Sequence, residues 1–216
     1  ILLGKGEHNQ FFEGLVDRVE IWDTRPSDAD LLAWAQEEID PSRAGLYAAW
    51  NLDEQTGATV TDEVSGWTGS ITGGAWSAEC AVAAAEECTT SKSTLDLDGT
   101  GYAETTIGSA DVVGATELTI SAWVNPDVSC SSRNCGVFGD SVSNGAQVHF
   151  NLENGGVSFG VYDDTVGWQA GFTCSVDFGR WQHLAVVVNG SGRTWVVRAS
   201  TVTMVPASMR LEVPKP

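Results

Sequence analysis

Short runs of β-prone residues, ended by glycine- or asparagine-rich turns, recur along this chain. ELTISAWVN at 117–125 alternates, with Leu118, Ile120, Ala122 and Val124 on one face, and WQHLAVVVN at 181–189 is a denser apolar run. The 24 glycines are abundant enough to serve many turns. Such a pattern is typical of antiparallel strands. It predicts an all-β fold, a two-sheet antiparallel sandwich with one short helix.

The one predicted helix lies in the segment 25–45. Ser27 and Asp30 have the spacing of a capping box, apolar residues follow at helical intervals, and Asp40-Pro41 ends the pattern. The flanking segments, 1–24 and 46–216, both contain strand-like runs. We therefore expect strands at 1–24, a helix and connector at 25–45, and the main body of a sandwich at 46–216.

Net charge excludes some partners. The 29 acidic and 11 basic residues give a formal charge of −18, and the basic residues are scattered. Because such a surface repels polyphosphate, nucleic-acid binding is excluded. No apolar run approaches the roughly 20 residues that span a bilayer. The length of 216 residues is enough to bury a core.

Four of the five cysteines form two closely spaced pairs. Cys130 and Cys135 flank a polar turn, and Cys80 and Cys88 flank an alanine-rich stretch. Both pairs are predicted to form local disulfides, which indicates an oxidising compartment and an extracellular or cell-surface protein. Cys174 is left over, either buried or paired with another molecule. Zinc is disfavoured because no Cys-x-x-Cys occurs.

Four stretches of the sequence resemble the laminin-G-like, concanavalin-A-like jelly-roll domains. They are GLYAAWNLDEQTGATVTDEVSGWTGSITGGAW at 45–76, LDLDGTGYAE at 95–104 with LTISAWVNP at 118–126, FGRWQHLAVVVNGSG at 178–192, and FFEGLVDRVEIWDTRPSDADL at 11–31. The last of these resembles the family's closing strand and terminal helix, yet here it comes first. The order is circularly permuted, and joining Pro216 to Ile1 would restore it.

Three explanations fit the permuted order. The first strands fold back into their own sheet, the chain is one repeat of a longer array, or the first strands complete the sheet of a neighbouring molecule. The last two predict a non-catalytic extracellular structural subunit that self-assembles head-to-tail with copies of itself into a surface fibre or repeat array. The alternative is a monomeric, lectin-like adhesion module that binds carbohydrate.

No catalytic site is predicted. Retaining glycosidases need two carboxyl groups about 5–5.5 Å apart. Asp17, Glu20 and Asp23 are spaced by three, so strand alternation is not expected to place them on one face. Asp96 and Asp98 share a face but run into a turn, and His183 lies within an apolar strand. We expect a protein that is not an enzyme.

The resemblance implies a structural calcium ion. In the family an Asp-containing, glycine-rich loop often holds this ion, and here the matching loop begins at Asp62. The carry-over makes the Asp62 carboxylate a ligand, with the backbone carbonyls of Ser65 and Trp67 and with Asp17 as a partner. This chain has Arg18 where the family has a second acidic residue. The alternative is that these carboxylates are solvated turn residues.

Glycan contacts are predicted at exposed aromatic residues. Trp67, Trp76, Tyr162 and Trp168 lie in or beside predicted loops, where a ring can stack on a sugar. Asn189 begins the one N-x-S/T pattern and is a possible acceptor for glycosylation. The same residues, Asn189-Gly190-Ser191, also suit a hairpin turn.

Overall fold

The protein is described here from a computed structural model that covers residues 1–79, 81, 92–108, 117–140, 147–163, 167–191 and 194–203. Within these ranges, the side chains of 7, 147, 161–174 and 188–203 lie outside the description. The predicted pair Cys80 and Cys88 also lies outside the described residues. No helix of the described part is long and apolar enough to cross a membrane.

Strands dominate the described structure. The strands are β1 (Leu2–Leu3), β2 (Glu13–Trp22), β3 (Leu46–Trp50), β4 (Thr59–Thr61), β5 (Thr68–Ser77), β6 (Thr94–Glu104), β7 (Glu117–Pro126), β8 (Cys135–Gly139), β9 (Gln147–Glu153), β10 (Gly156–Asp163), β11 (Gly167–Ser175), β12 (Gln182–Ser191) and β13 (Thr194–Thr203). The α-helix α1 spans Asp28–Trp34, and short 3₁₀ helices span Glu7–Asn9 and Val128–Ser131.

Antiparallel pairing connects the strands in the order β11-β10-β9-β8-β1-β6-β2-β7-β12-β13, while β3 pairs with β2, and β5 pairs with β4 and β6. The short strand β1 joins the two halves because it pairs with both β6 and β8. One core cluster contains Phe150 and Phe159 of the first half together with Ile120 and Val186 of the second. The two halves therefore pack face to face, as in a sandwich, around a single main core.

The first long strand lies in the middle of its own sheet. β2 pairs with β6 on one side, where Leu15 opposes Asp96, and with β7 on the other, where Val16 opposes Val124. Val16 is fully buried in the main core. In the described structure these strands pair within the same chain, as the first of the three explanations expects.

An irregularity in β2 changes which side chains share a face. Asp17 opposes Trp123 and Glu20 opposes Ser121, so three steps along β2 match two steps along β7. The extra residue is Arg18, whose φ of 44° is in the left-handed region. Asp17 and Glu20 consequently point to the same side, which we call the outer face because it is turned away from the main core. The expectation from strict alternation was wrong for this reason.

Helix α1 covers part of the outer face. Ser27 is its N-cap and accepts a hydrogen bond from the backbone N–H of Asp30 at 3.1 Å, as the capping pattern predicts. Leu31 packs on Ala185 and Val187 of β12. The helix ends at Trp34, earlier than the predicted stop at Asp40-Pro41.

Two predicted loops are strands. The glycine-rich segment 65–76, expected to be a loop, largely forms β5, because its glycines allow close backbone contact with β6. A Cβ at Gly101 would lie 2.5 Å from the backbone of Gly73. The expected turn at Asn189 is the end of β12, where Asn189 opposes both Glu117 and Val196.

Candidate functional site

A buried charged cluster lies on the outer face of β2. Asp17, Arg18 and Glu20 retain 4%, 6% and 7% of their possible exposure. The Asp17 carboxylate accepts a hydrogen bond from the backbone N–H of Ala81 at 3.2 Å, and Glu20 accepts one from the Ser121 hydroxyl at 3.0 Å. The Arg18 Nε lies 4.0 Å from Asp17 Oδ2. These three ionisable side chains are buried, and their hydrogen-bonding and ionic partners satisfy them only in part.

The segment after α1 closes over this cluster. The Trp123 indole N–H donates to the backbone oxygen of Ala35 at 2.9 Å, and Arg18 Nη1 donates to the backbone oxygen of Glu37 at 2.9 Å. The Arg18 guanidinium also lies 5.6 Å from the centre of the Trp123 ring. Two contacts from neighbouring strands thus hold the residues that follow α1 against the sheet.

Burial shifts the pKa values of the titratable groups in this cluster. It raises the pKa of Asp17 to about 7, which the nearby Arg18 opposes. It also raises the pKa of Glu20, an effect that the hydrogen bond from Ser121 opposes. Burial lowers the pKa of His183, which lies beside Trp123, to about 3. A buried group favours its neutral form because the interior solvates charge poorly.

Two carboxyl groups on one face are the arrangement that glycoside hydrolysis uses, and Asp17 and Glu20 lie on one face in this way. A substrate would have to reach both Asp17 and Glu20. Ala81 and the residues that follow α1 cover them, and neither side chain exposes more than 7% of its surface. In this conformation the pair is closed to a glycan.

The Asp62 loop, which joins β4 to β5, is organised by one carboxylate. Asp62 Oδ1 accepts from the backbone N–H groups of Ala49 at 2.9 Å and Val64 at 3.1 Å. Asp62 Oδ2 accepts from the backbone N–H of Ser65 at 3.1 Å and from the Ser65 hydroxyl. Trp67 follows with 54% of its surface exposed.

This loop does not fit the calcium ligands predicted for it. Four donors use the carboxylate oxygens of Asp62, and a cation would have to displace them. The backbone N–H of Ala49 donates to the Asp62 carboxylate, and its backbone C=O accepts from the N–H of Glu63. Asp62 and Glu63 therefore lie on the side of β3 that faces away from β2. The structure therefore does not bring Asp62 and Asp17 together. Among the described residues, no group of three or more His, Cys, Asp or Glu side chains is suited to hold a metal ion.

The four aromatic residues predicted to stack on sugars do not form one group. Trp76 packs against the main core, and its indole N–H donates to the Gly57 backbone oxygen at 3.0 Å. Trp67 lies at the other end of β5, roughly 30 Å away at the usual rise of a strand. Tyr162 and Trp168 oppose one another in β10 and β11, and their side chains are outside the description.

A different pair of aromatic rings is partly exposed on the outer face. The ring centres of Phe11 and Tyr102 are 6.2 Å apart, with an angle of 39° between the rings. Lys5 Nζ lies 4.6 Å from the centre of Tyr102 and 5.1 Å from that of Phe11. We call Lys5, Phe11 and Tyr102 the aromatic patch. Sequence analysis missed it because 91 residues separate the two rings.

The disulfide loop supports the aromatic patch. Cys130 and Cys135 form the predicted local disulfide, with both residues fully buried. Arg133, inside that loop, donates to the Phe11 backbone oxygen at 3.3 Å and to Glu13 Oε2 at 2.6 Å. Arg133 thereby ties the disulfide loop to the backbone of Phe11, which is in the patch, and to Glu13 at the start of β2.

Polar side chains continue from the patch along the outer face. Glu13 opposes Asp98 across β2 and β6, and Leu15 opposes Asp96 two pairs further along, on the same face. Asp98 accepts hydrogen bonds from the backbone N–H and the hydroxyl of Thr100. Among the described residues, the Asp96 carboxylate has neither a hydrogen bond nor an ion pair, and partial burial and the nearby Asp98 raise its pKa. This half of the outer face is open, whereas α1 covers the other half.

Comparison with known proteins gives one match. Residues 97–199 match the Laminin G 3 family model, which is described as the concanavalin A-like lectin/glucanases superfamily. No curated protein and no solved structure gives a significant match. The family match and the antiparallel strands together confirm the predicted resemblance and the predicted jelly-roll fold.

Proposed function

We propose that this chain, whose residues 97–199 match the concanavalin A-like lectin/glucanases superfamily, is a non-catalytic glycan-binding module that acts outside the cell. The observation that carries the proposal is the aromatic patch. Phe11 and Tyr102 offer two partly exposed rings on an open sheet face, beside carboxylate and hydroxyl groups. Such rings bind the apolar faces of sugars, and nearby polar groups bind their hydroxyls.

Burial of the two carboxyl groups supports a non-catalytic role. Asp17 and Glu20 share a face of β2, and both lie under the segment that follows α1. The disulfide between Cys130 and Cys135 supports an oxidising, extracellular location. Fold alone does not define the function, so the argument depends on the site.

A glycan array tests the proposal. The labelled wild-type protein should bind at least one glycan, and Tyr102→Ala should lose most of that binding. Leu32→Ala is the matched control, because Leu32 is an exposed apolar residue on α1, away from the patch. The proposal fails if the wild type binds no glycan, or if Tyr102→Ala binds as the wild type does. If Trp67→Ala alone loses glycan binding, the binding site lies at the Asp62 loop instead.

Head-to-tail assembly is the second candidate function. Because β1 and β2 pair within the chain, they are not needed to complete a neighbour's sheet. Among the described residues, β13 has a hydrogen-bonded neighbour on one side only, β12, although β11 also lies close to it, so a strand from another copy would have to pair beside β11. Light scattering after size exclusion distinguishes the two candidates, since a fibre subunit forms large species and a binding module stays monomeric.

A further inference from the structure

We infer that the ligand of the aromatic patch is a glycan that carries free, protonated amino groups. This inference rests on the proposed function and names the class of sugar that the site selects. Its basis is the chemistry of the side chains on the open half of the outer face, including the cation that already occupies the rings.

The patch accommodates an ammonium group. Lys5 Nζ lies over both rings, 4.6 Å from the centre of Tyr102 and 5.1 Å from the centre of Phe11. A cation within about 6 Å of a ring centre is attracted by the negative face of the ring. Lys5 therefore occupies the place that a ligand ammonium group would take, tethered to the protein by its own side chain.

Carboxylate side chains on β6 would also attract an ammonium group. Asp98 and Asp96 are two residues apart on the outer face, a separation of about 7 Å at the usual rise of a strand. Arg133 already pairs with the neighbouring Glu13, whereas Asp96 has no ion pair among the described residues. A polymer that runs from the rings along β6 would place a second amino group beside this unpaired carboxylate.

The net charge of the whole chain also favours a positively charged ligand. A net charge of −18 attracts polycations and repels sulfated or carboxylated glycans over distances of about a Debye length, roughly 8–10 Å in physiological salt. Neutral glycans are not repelled, but their hydroxyl groups gain less from the Asp96 carboxylate than a charged ammonium group does. The open face is thus complementary to an amino sugar polymer.

Paired oligomers test the inference. Isothermal titration compares a glucosamine oligomer with the N-acetylglucosamine oligomer of equal length, which lacks the charge. We expect the glucosamine oligomer to bind roughly tenfold more tightly, and added salt to weaken its binding. Equal binding of both oligomers overturns this inference and leaves the proposed function intact. If no glycan on the array binds the protein, the proposed function itself is overturned.

Variants separate the aromatic and acidic contributions. Asp96→Asn should lower the affinity for the glucosamine oligomer severalfold and lower that for the acetylated oligomer much less. Asp23→Asn is the matched control, because it removes the same charge at an exposed position beyond the end of β2. If both variants lose equal affinity, overall charge is responsible and Asp96 is not a contact, which overturns the inference.

Lys5 supplies the sharpest test. If its ammonium group competes with the ligand, Lys5→Gln should raise the affinity for the glucosamine oligomer. If Lys5 is itself a sugar contact, Lys5→Gln should lower that affinity, which would overturn the inference. A lysine oligomer of matched charge is the last comparison: binding as tight as that of the glucosamine oligomer would mean that the site recognises basic peptides, again against the inference.

Discussion

Asp17 and Glu20 lie on the same face of β2 although they are three residues apart. Arg18, with a φ of 44°, adds one residue to the strand and restores the match with Trp123 and Ser121 of β7. The two carboxyl groups are therefore neighbours on the outer face, where the residues after α1 and Ala81 cover them. This local irregularity creates the buried charged cluster from which the first two predictions follow.

The Asp17→Asn variant should become more stable relative to the wild type as pH rises. Burial raises the pKa of Asp17 to about 7 in the folded state, against an ordinary value of 3.8 for an aspartate in the unfolded chain. Between these values the folded protein keeps a proton that the unfolded chain has lost, so the stability contribution of Asp17 falls as pH rises. Asparagine cannot ionise, and the difference in unfolding free energy should grow by on the order of 2–4 kcal/mol from about pH 4 to about pH 7.

Urea unfolding at several pH values measures this difference. The wild-type curve also contains the opposite contribution of His183, whose lowered pKa makes stability fall as pH drops from about 6.5 toward about 3. Subtracting the wild type from the variant removes that shared term. Asp23→Asn is the control, since its side chain is exposed. A difference that stays constant with pH would show that Asp17 is not buried in this way.

Trp123→Phe should destabilise the protein by about 1–3 kcal/mol. The substitution keeps an aromatic ring but removes the N–H that donates to the Ala35 backbone oxygen at 2.9 Å, which leaves a buried acceptor without its donor. The urea midpoint, followed by circular dichroism, measures the loss. Trp67→Phe, at a 54% exposed residue, should stay within about 0.5 kcal/mol of the wild type. Equal effects of the two substitutions would contradict the proposed contact.

Removing the disulfide should cost about 2 kcal/mol, because the bridge between Cys130 and Cys135 closes a short loop. The double variant Cys130→Ala/Cys135→Ala tests this by urea unfolding. Reductant added to the wild type should move its midpoint in the same direction, and it should leave the double variant unchanged. An unchanged midpoint in the double variant would mean that the loop, including Arg133, is held by its other contacts alone.

Calcium and chelator should leave the melting temperature of the wild type unchanged, because the oxygens of Asp62 already accept four hydrogen bonds. Asp62→Ala should instead lower stability by about 2–4 kcal/mol through loss of hydrogen bonds to a charged acceptor. The exposed neighbour Glu63 supplies the control, Glu63→Ala. A rise in melting temperature with calcium that Asp62→Ala abolishes would restore the metal site.

Local features of the fold could be predicted because their causes are local. The capping contact of Ser27 depends on residues three apart, and the bridge from Cys130 to Cys135 closes a five-residue separation. The jelly-roll itself could be predicted from strand periodicity and from resemblance. β5 was missed because its glycines resemble a loop, and only the close approach of Gly73 to Gly101 explains their presence in a strand.

Most of the strands, the helix start, the local disulfide and the acidic charge follow from the sequence, since each depends on neighbouring residues or on composition. The tertiary structure alone decided that β2 pairs within its own chain, that Arg18 brings Asp17 and Glu20 to one face, and that Phe11 meets Tyr102. These outcomes depend on strand order and register. Both are set by packing between residues far apart in the chain, which local periodicity does not encode.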